Sequence, residues 1–150
     1  MCRLLLFLLL LSWTLPLLRA ETLAVIVSAA QPVHHLTPKQ VARIYLRKQV
    51  LGPGGIPWQP LNLPASHPLR RAFSARILHR LPQELETYWN VQYFNGILPP
   101  YVVDSEAAVE AYVAATPGAI GYLRRCRLHS DRVRIIATID VKRPGRLACR

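Results

Sequence analysis

Acidic residues are scarce in this 150-residue chain: eight Asp and Glu stand against nineteen Lys and Arg, a formal net charge of +11 at pH 7. Glu84 and Glu86 are close in sequence, but two positions apart on a helix they point to different faces. Paired-carboxylate catalysis therefore has no candidate. The five histidines lack metal-ligand spacing. His34 and His35 are adjacent, and His67, His79 and His129 have no Cys or carboxylate at the right separation. Ser28, Ser66, Ser74, Ser105 and Ser130 all lack the Gly-x-Ser-x-Gly elbow of a hydrolase. These absences argue against an enzyme, a metal and a cofactor. Disorder is excluded as well, because 51% of the residues are hydrophobic despite 13 prolines.

Also missing is an apolar run long enough to cross a bilayer. Between Arg3 and Arg19 lie fifteen mostly apolar residues, Leu4 to Leu18. As a helix they span roughly 22 Å, short of the ~30 Å hydrocarbon core. A basic start, a short apolar run and a small residue at Ala20 describe a secretory signal peptide over residues 1–20, cleaved before Glu21. An uncleaved membrane anchor is the rival reading. Cys2 precedes the run, so the cysteine of a lipid-anchored protein is not in place. The expected location is the periplasm. Loss of Arg3 and Arg19 leaves a charge of about +9, which favours anionic small molecules, lipid head groups or acidic protein surfaces. Nucleic acid is not an expected partner, since the basic residues are scattered and the chain is exported. In an oxidising compartment Cys126 and Cys149 are expected to form a disulfide across 22 intervening residues, worth about 3 kcal/mol.

The remaining chain reads as one domain over residues 21–140, followed by a basic tail over 141–150. Leu23–Val27 is a β-branched run that predicts a buried strand. Thr37-Pro38-Lys39-Gln40 combines a cap, a first-turn proline and a capping-box glutamine, opening a helix whose apolar face is Val41, Ile44 and Tyr45. A Gly52–Gly55 turn precedes a second strand, Trp58 to Leu63. A basic helix begins near Ser66 or Pro68, with Leu69, Ala72, Phe73 and Ile77 facing inward. Pro82 opens a third helix, expected to bury Leu85, Tyr88, Trp89 and Tyr93 and to end at Asn95-Gly96. Asp104 or Ser105 caps a fourth helix, and strands follow at Ala119–Leu123 and Val133–Ile139. Strands alternating with about four helices predict an α/β domain around a small mixed sheet.

The basic helix after Ser66 holds the candidate binding residues. Unpaired amides and the dipole at a helix start favour an anion. Ser66 offers a hydroxyl, His67 a ring donor, and Arg70 and Arg71 guanidinium forks suited to oxyanions. The competing reading is a simple cap with solvated arginines.

Several segments together resemble a known family. Ile44-Tyr45-Leu46-Arg47-Lys48, with Thr37–Val41 before it, resembles the Ile-Phe-Leu-Gly-Lys helix of phosphate ABC-transporter substrate-binding proteins. Arg70-x-x-Phe73, Tyr88-Trp89 and Phe94-x-Gly96 follow in that family's order. Pro117-Gly118-Ala119-Ile120-Gly121-Tyr122 is similar to its Pro-Gly-Ala-Ile-Gly-Tyr strand. The resemblance runs from Leu23 to Tyr122 and implies a single lobe of a type 2 periplasmic binding protein. In full-length members two lobes close on phosphate, using an Arg-x-Asp-x-Ser-Gly-Thr motif. The matching stretch here, Leu63 to Leu69, replaces the Arg, Asp and Thr with Leu63, Ala65 and Leu69. The resemblance thus implies a non-catalytic binding domain for phosphate or a similar oxyanion, held weakly, with an inner-membrane transporter as partner. The alternative is an interaction module for a sensor kinase or porin that binds no small ligand. A homodimer is a further expectation, since a second copy could supply the absent lobe.

Overall fold

A computed structural model describes residues 21–141. The expected signal peptide and the basic tail beyond Val141 lie outside the described residues. Strand β1 (Glu21–Ser28) is followed by α1 (Pro38–Tyr45), β2 (Gln59–Asn62), α2 (Pro68–Phe73), α3 (Glu86–Phe94), β3 (Tyr101–Val102), α4 (Glu106–Ala115), β4 (Ala119–Arg124) and β5 (Val133–Val141). Short turns join them, including a π-turn at Ser74–Leu78 that continues α2 and a 3-10 turn at Pro82–Leu85 that leads into α3.

The five strands form one mixed sheet in the order β3-β2-β4-β1-β5. β2 runs parallel to β3 and β4, while β1 is antiparallel to β4 and β5. Leu23 to Val27 are all fully buried, so side chains of both orientations on β1 are covered. Alternation along β4 shows how the two faces differ. A Cβ on Gly121 would strike Val109 and Val113 of α4, whereas Tyr122 packs on the other face. There its ring stacks on Phe73 of α2, with centroids 3.9 Å apart and planes 4° from parallel. Tyr45 of α1 leans against both rings, at 4.6 Å from Phe73 and 5.9 Å from Tyr122. A mixed α/β domain with four helices is therefore observed, as the alternating pattern predicts.

Local signals explain most boundaries. The Thr37 hydroxyl accepts from the Gln40 amide, and the Gln40 side chain accepts from the Thr37 amide, completing the capping box. Ser105 caps α4 by accepting from the Ala108 amide at 3.1 Å. Gly96 ends the α3 region with φ +75°. One expectation fails: α3 contains no fully buried residue, and Tyr93, expected inside, is 64% exposed. Leu85 is buried, and Tyr88 and Trp89 pack against the core only in part.

Gly118 joins α4 to β4 and is constrained twice. Its φ of +83° is left-handed, and a Cβ there would run into the Pro57 carbonyl oxygen. Gly118→Ala is expected to cost about 2–4 kcal/mol through backbone strain and overpacking. Urea unfolding followed by tryptophan fluorescence checks this, and an unchanged midpoint would contradict it.

Candidate functional site

The expected binding residues lie where β2 hands the chain to α2. Asn62, at the end of β2, is buried, and its side-chain oxygen accepts from the Tyr122 hydroxyl at 3.3 Å. The same hydroxyl accepts from the Leu63 amide at 3.3 Å. Burial raises the Tyr122 pKa well above that of a free phenol, so it stays protonated and donates. These bonds fix the chain leaving β2, and the turn after Leu63 leads into α2.

The helix is capped by His67 instead of Ser66. His67 Nδ1 accepts from the Leu69 amide at 3.1 Å. That bond assigns the proton of the neutral ring to Nε2, which is then a donor. Pro68 has no amide hydrogen, and the Arg71 amide donates to the His67 carbonyl. Ser66 is exposed in the preceding turn. The first-turn amides that the sequence offers to an anion are therefore mostly used within the helix start.

The two arginines do not converge. Arg71 is exposed, with Nη1 3.4 Å from Gln83 Oε1. Arg70 instead turns inward with Leu69, Phe73 and Ser74, exposing only 7% of its surface. Its Nε and Nη1 are sealed from solvent and meet no acceptor among the described residues. No carboxylate lies within ion-pair distance of it among those residues. Burial lowers the Arg70 pKa, and the Tyr122 and Tyr45 phenols are the next influences on it. Guanidinium basicity leaves it charged all the same. One turn along, the Ser74 hydroxyl is fully buried and also lacks a partner. Sequence patterning could not separate Arg70 from Arg71, since both are adjacent arginines on one basic helix.

The carboxylate nearest this region in its effects is committed elsewhere. Glu106, at the start of α4, accepts from the Arg124 amide at 2.7 Å and pairs with its guanidinium at 2.7 Å. This pair is largely buried and ties the end of β4 to α4. It also acts on His67, Glu106 raising and Arg124 lowering its pKa, but burial is the larger cause and lowers the pKa overall. His67 is therefore neutral near pH 7. Cys126 is exposed in the turn after β4, while Cys149 lies outside the described residues.

The depressed His67 pKa fixes a sign. The unfolded chain takes up this proton at a higher pH than the folded one, so stability is lost as pH falls below about 6.5. His67→Asn keeps an acceptor at the cap without a titrating ring. Its unfolding free energy should match the parent within about 0.5 kcal/mol at neutral pH. Below pH ~6.5 it should fall less steeply. Identical slopes for the two proteins would refute the assignment.

No protein-family model and no curated protein matches the chain. Solved structures do match. A Clostridium perfringens protein described as a phosphate ABC transporter substrate-binding protein, solved with bound phosphate, aligns at TM-score 0.64 and 21% identity. That match covers 78% of this chain and 44% of that one. An ABC-type phosphate transport receptor from Vibrio cholerae aligns at TM-score 0.65 and 22% identity, over 79% of this chain and 46% of its own. PstS from Borrelia burgdorferi gives TM-score 0.52 and 18% identity, over 69% and 41%. The chain thus spans less than half the length of each. The described residues have the fold of a single lobe of a phosphate ABC-transporter substrate-binding protein.

Proposed function

We propose that this domain is an exported, non-catalytic oxyanion-binding module of the phosphate-uptake type, with Arg70 as its principal ligand. One observation carries the reading: a buried guanidinium with two unpartnered nitrogens and no carboxylate within reach among the described residues. An uncompensated buried charge costs several kcal/mol, and an anion that pairs with it recovers much of that cost. Nη2 is the one guanidinium nitrogen not sealed off, so it marks the side from which an anion reaches the fork. A small swing of the side chain then brings Nη1 to bear. His67 Nε2–H and the Ser66 hydroxyl, at the mouth of the same turn, are the second ligands. Arg71 contributes only long-range attraction. Phosphate is the first candidate because two of the three solved neighbours are described by phosphate transport, one of them with phosphate bound. On this reading the partner is an inner-membrane transporter, and the protein acts in the periplasm.

Calorimetric titration with phosphate and with sulfate tests the reading. Arg70→Met is expected to weaken binding at least tenfold, about 1.4 kcal/mol, while Arg71→Ala changes it less than threefold at moderate salt. Absence of heat at millimolar ligand, or equal losses in the two variants, would overturn the assignment of Arg70.

A further inference from the structure

The described surface is divided in a way that the anion site does not use. Six of its large exposed apolar residues fall in one short stretch, Val91, Tyr93, Phe94, Leu98, Tyr101 and Val102. Phe94, at the end of α3, is 88% exposed. The same part of the chain is charge-polarised. From Pro82 to Leu123 there is no Lys or Arg, yet five of the eight carboxylates lie there. Glu106 is engaged by Arg124, and Glu110 accepts from the His129 and Ser130 amides. Glu84, Glu86 and Asp104 remain exposed on the elements that carry the apolar stretch. Along the chain, an exposed apolar and aromatic stretch is thus flanked by exposed carboxylates and free of Lys and Arg, on a strongly cationic protein.

A complementary surface lies at the other edge of the sheet. A groove of about 590 Å³ opens between the start of α1, the π-turn and β5. Ala42, Ile77 and Ile139 give it an apolar floor, Lys39 and Arg76 a cationic rim, and His79 lines it beside them. Asp140 also lines it, where it accepts from the Thr22 hydroxyl.

We propose that the chain associates head to tail with copies of itself, the α3–β3 aromatic end of one copy seating in the α1–β5 groove of the next. Charge complementarity selects this occupant, because the flanking carboxylates meet a cationic rim and both halves are on one polypeptide. An anionic lipid surface would be repelled by Glu84, Glu86 and Asp104. The contact is intermolecular because β3 and β5 are the opposite edges of the sheet, four strand spacings or roughly 19 Å apart. Two different surfaces make the contact heterologous, so it builds a ring or a filament instead of a closed symmetric pair. The rim charges are exposed, which makes the association weak and salt-sensitive.

The test uses purified protein in sedimentation equilibrium across the micromolar range, at low and high salt. The average mass should climb above that of one chain as concentration rises, and fall back with added salt. Two variants at exposed positions disable opposite halves: Phe94→Ser removes the aromatic anchor, and Lys39→Glu with Arg76→Glu reverses the rim. Circular dichroism confirms that each is folded. Each alone should remain a single chain, while an equimolar mixture should recover dimers and nothing larger, since one intact contact survives per pair. A wild-type mass of one chain at several hundred micromolar and low salt would overturn the proposal. So would continued association of either variant alone, or a mixture that stays monomeric. Arg70 takes no part in either surface, so phosphate titration can fail without affecting this outcome.

Discussion

A cation buried beside Leu69, Phe73 and two tyrosines, with no carboxylate within ion-pair distance among the described residues, is the constraint around which this domain is organised. Arg70 is drawn inside because its helix is short and deeply embedded. Leu69 and Phe73 both have zero exposure, and the residue following each of them is carried inward as well. Arg70 and Ser74 are those residues, and both retain unpartnered polar atoms. Other polar groups in this region are bonded. Tyr122 donates to Asn62 and accepts from Leu63, and Tyr45 donates to the Ile120 carbonyl. Gln31, Arg47 Nε and Trp58 Nε1 also keep unpartnered buried atoms among the described residues, but Arg70 combines two such nitrogens with a charge, and Ser74 adds a third orphan on the same helix face. The sheet supplies the rigidity that keeps the orphan in place. Tyr122 is fully buried on one face of β4, and its neighbour Gly121 lets α4 press directly on the opposite face.

The split between what sequence patterning showed and what it hid follows the range of the interactions. Short-range chemistry was readable. The Thr37–Gln40 capping box, the Ser105 cap and the left-handed Gly96 are all set by a few neighbouring residues, and each stands where the pattern placed it. The β-branched run at Leu23–Val27 had a single plausible use. The binding residues depended on tertiary packing. Ser66 and His67 are both competent caps, and only the path of the chain out of β2 decides that the imidazole reaches the Leu69 amide. Arg70 and Arg71 are identical in type, and a rotation of 100° about the helix axis separates an interior charge from a solvated one. Tyr93 was misplaced for the opposite reason. The spacing of Leu85, Tyr88, Trp89 and Tyr93 fits a helix period, but the core covers only the first turns of α3 and the remainder projects past it.

Spanning less than half of its structural neighbours sets a physical problem for any anion reader built on this lobe. The resemblance implies that longer members gain affinity by closing two lobes and stripping water from the ligand. Contacts from one lobe leave one side of an anion hydrated, which limits how much of each charge-assisted bond is realised. Burying the cation in advance is a different solution. The desolvation of Arg70 is borne by folding, offset by the packing of Leu69, Phe73 and the tyrosines, so it is not charged against binding. On the proposed reading, this lobe presents a dehydrated guanidinium without any movement of its own.

The same bookkeeping explains why the remaining charge is arranged as it is. A net charge of +11 spread evenly would oppose self-association and would attract anions everywhere with little selectivity. Here Glu84, Glu86 and Asp104 are exposed within a stretch, Pro82 to Leu123, that carries no Lys or Arg, and Arg124 is neutralised by Glu106. Among the described residues, Lys39 and Arg43 lie on α1, Arg70 and Arg71 on α2 and Arg76 on the π-turn, while Arg125, Arg127, Arg132 and Arg134 lie around β4 and β5. On the proposed reading, the exposed cations of α1, α2 and the π-turn supply long-range attraction and the buried Arg70 supplies selectivity. The exposed arginines raise the local anion concentration, but salt screens them within about 10 Å. Arg70, 7% exposed, is shielded from that screening by its own packing.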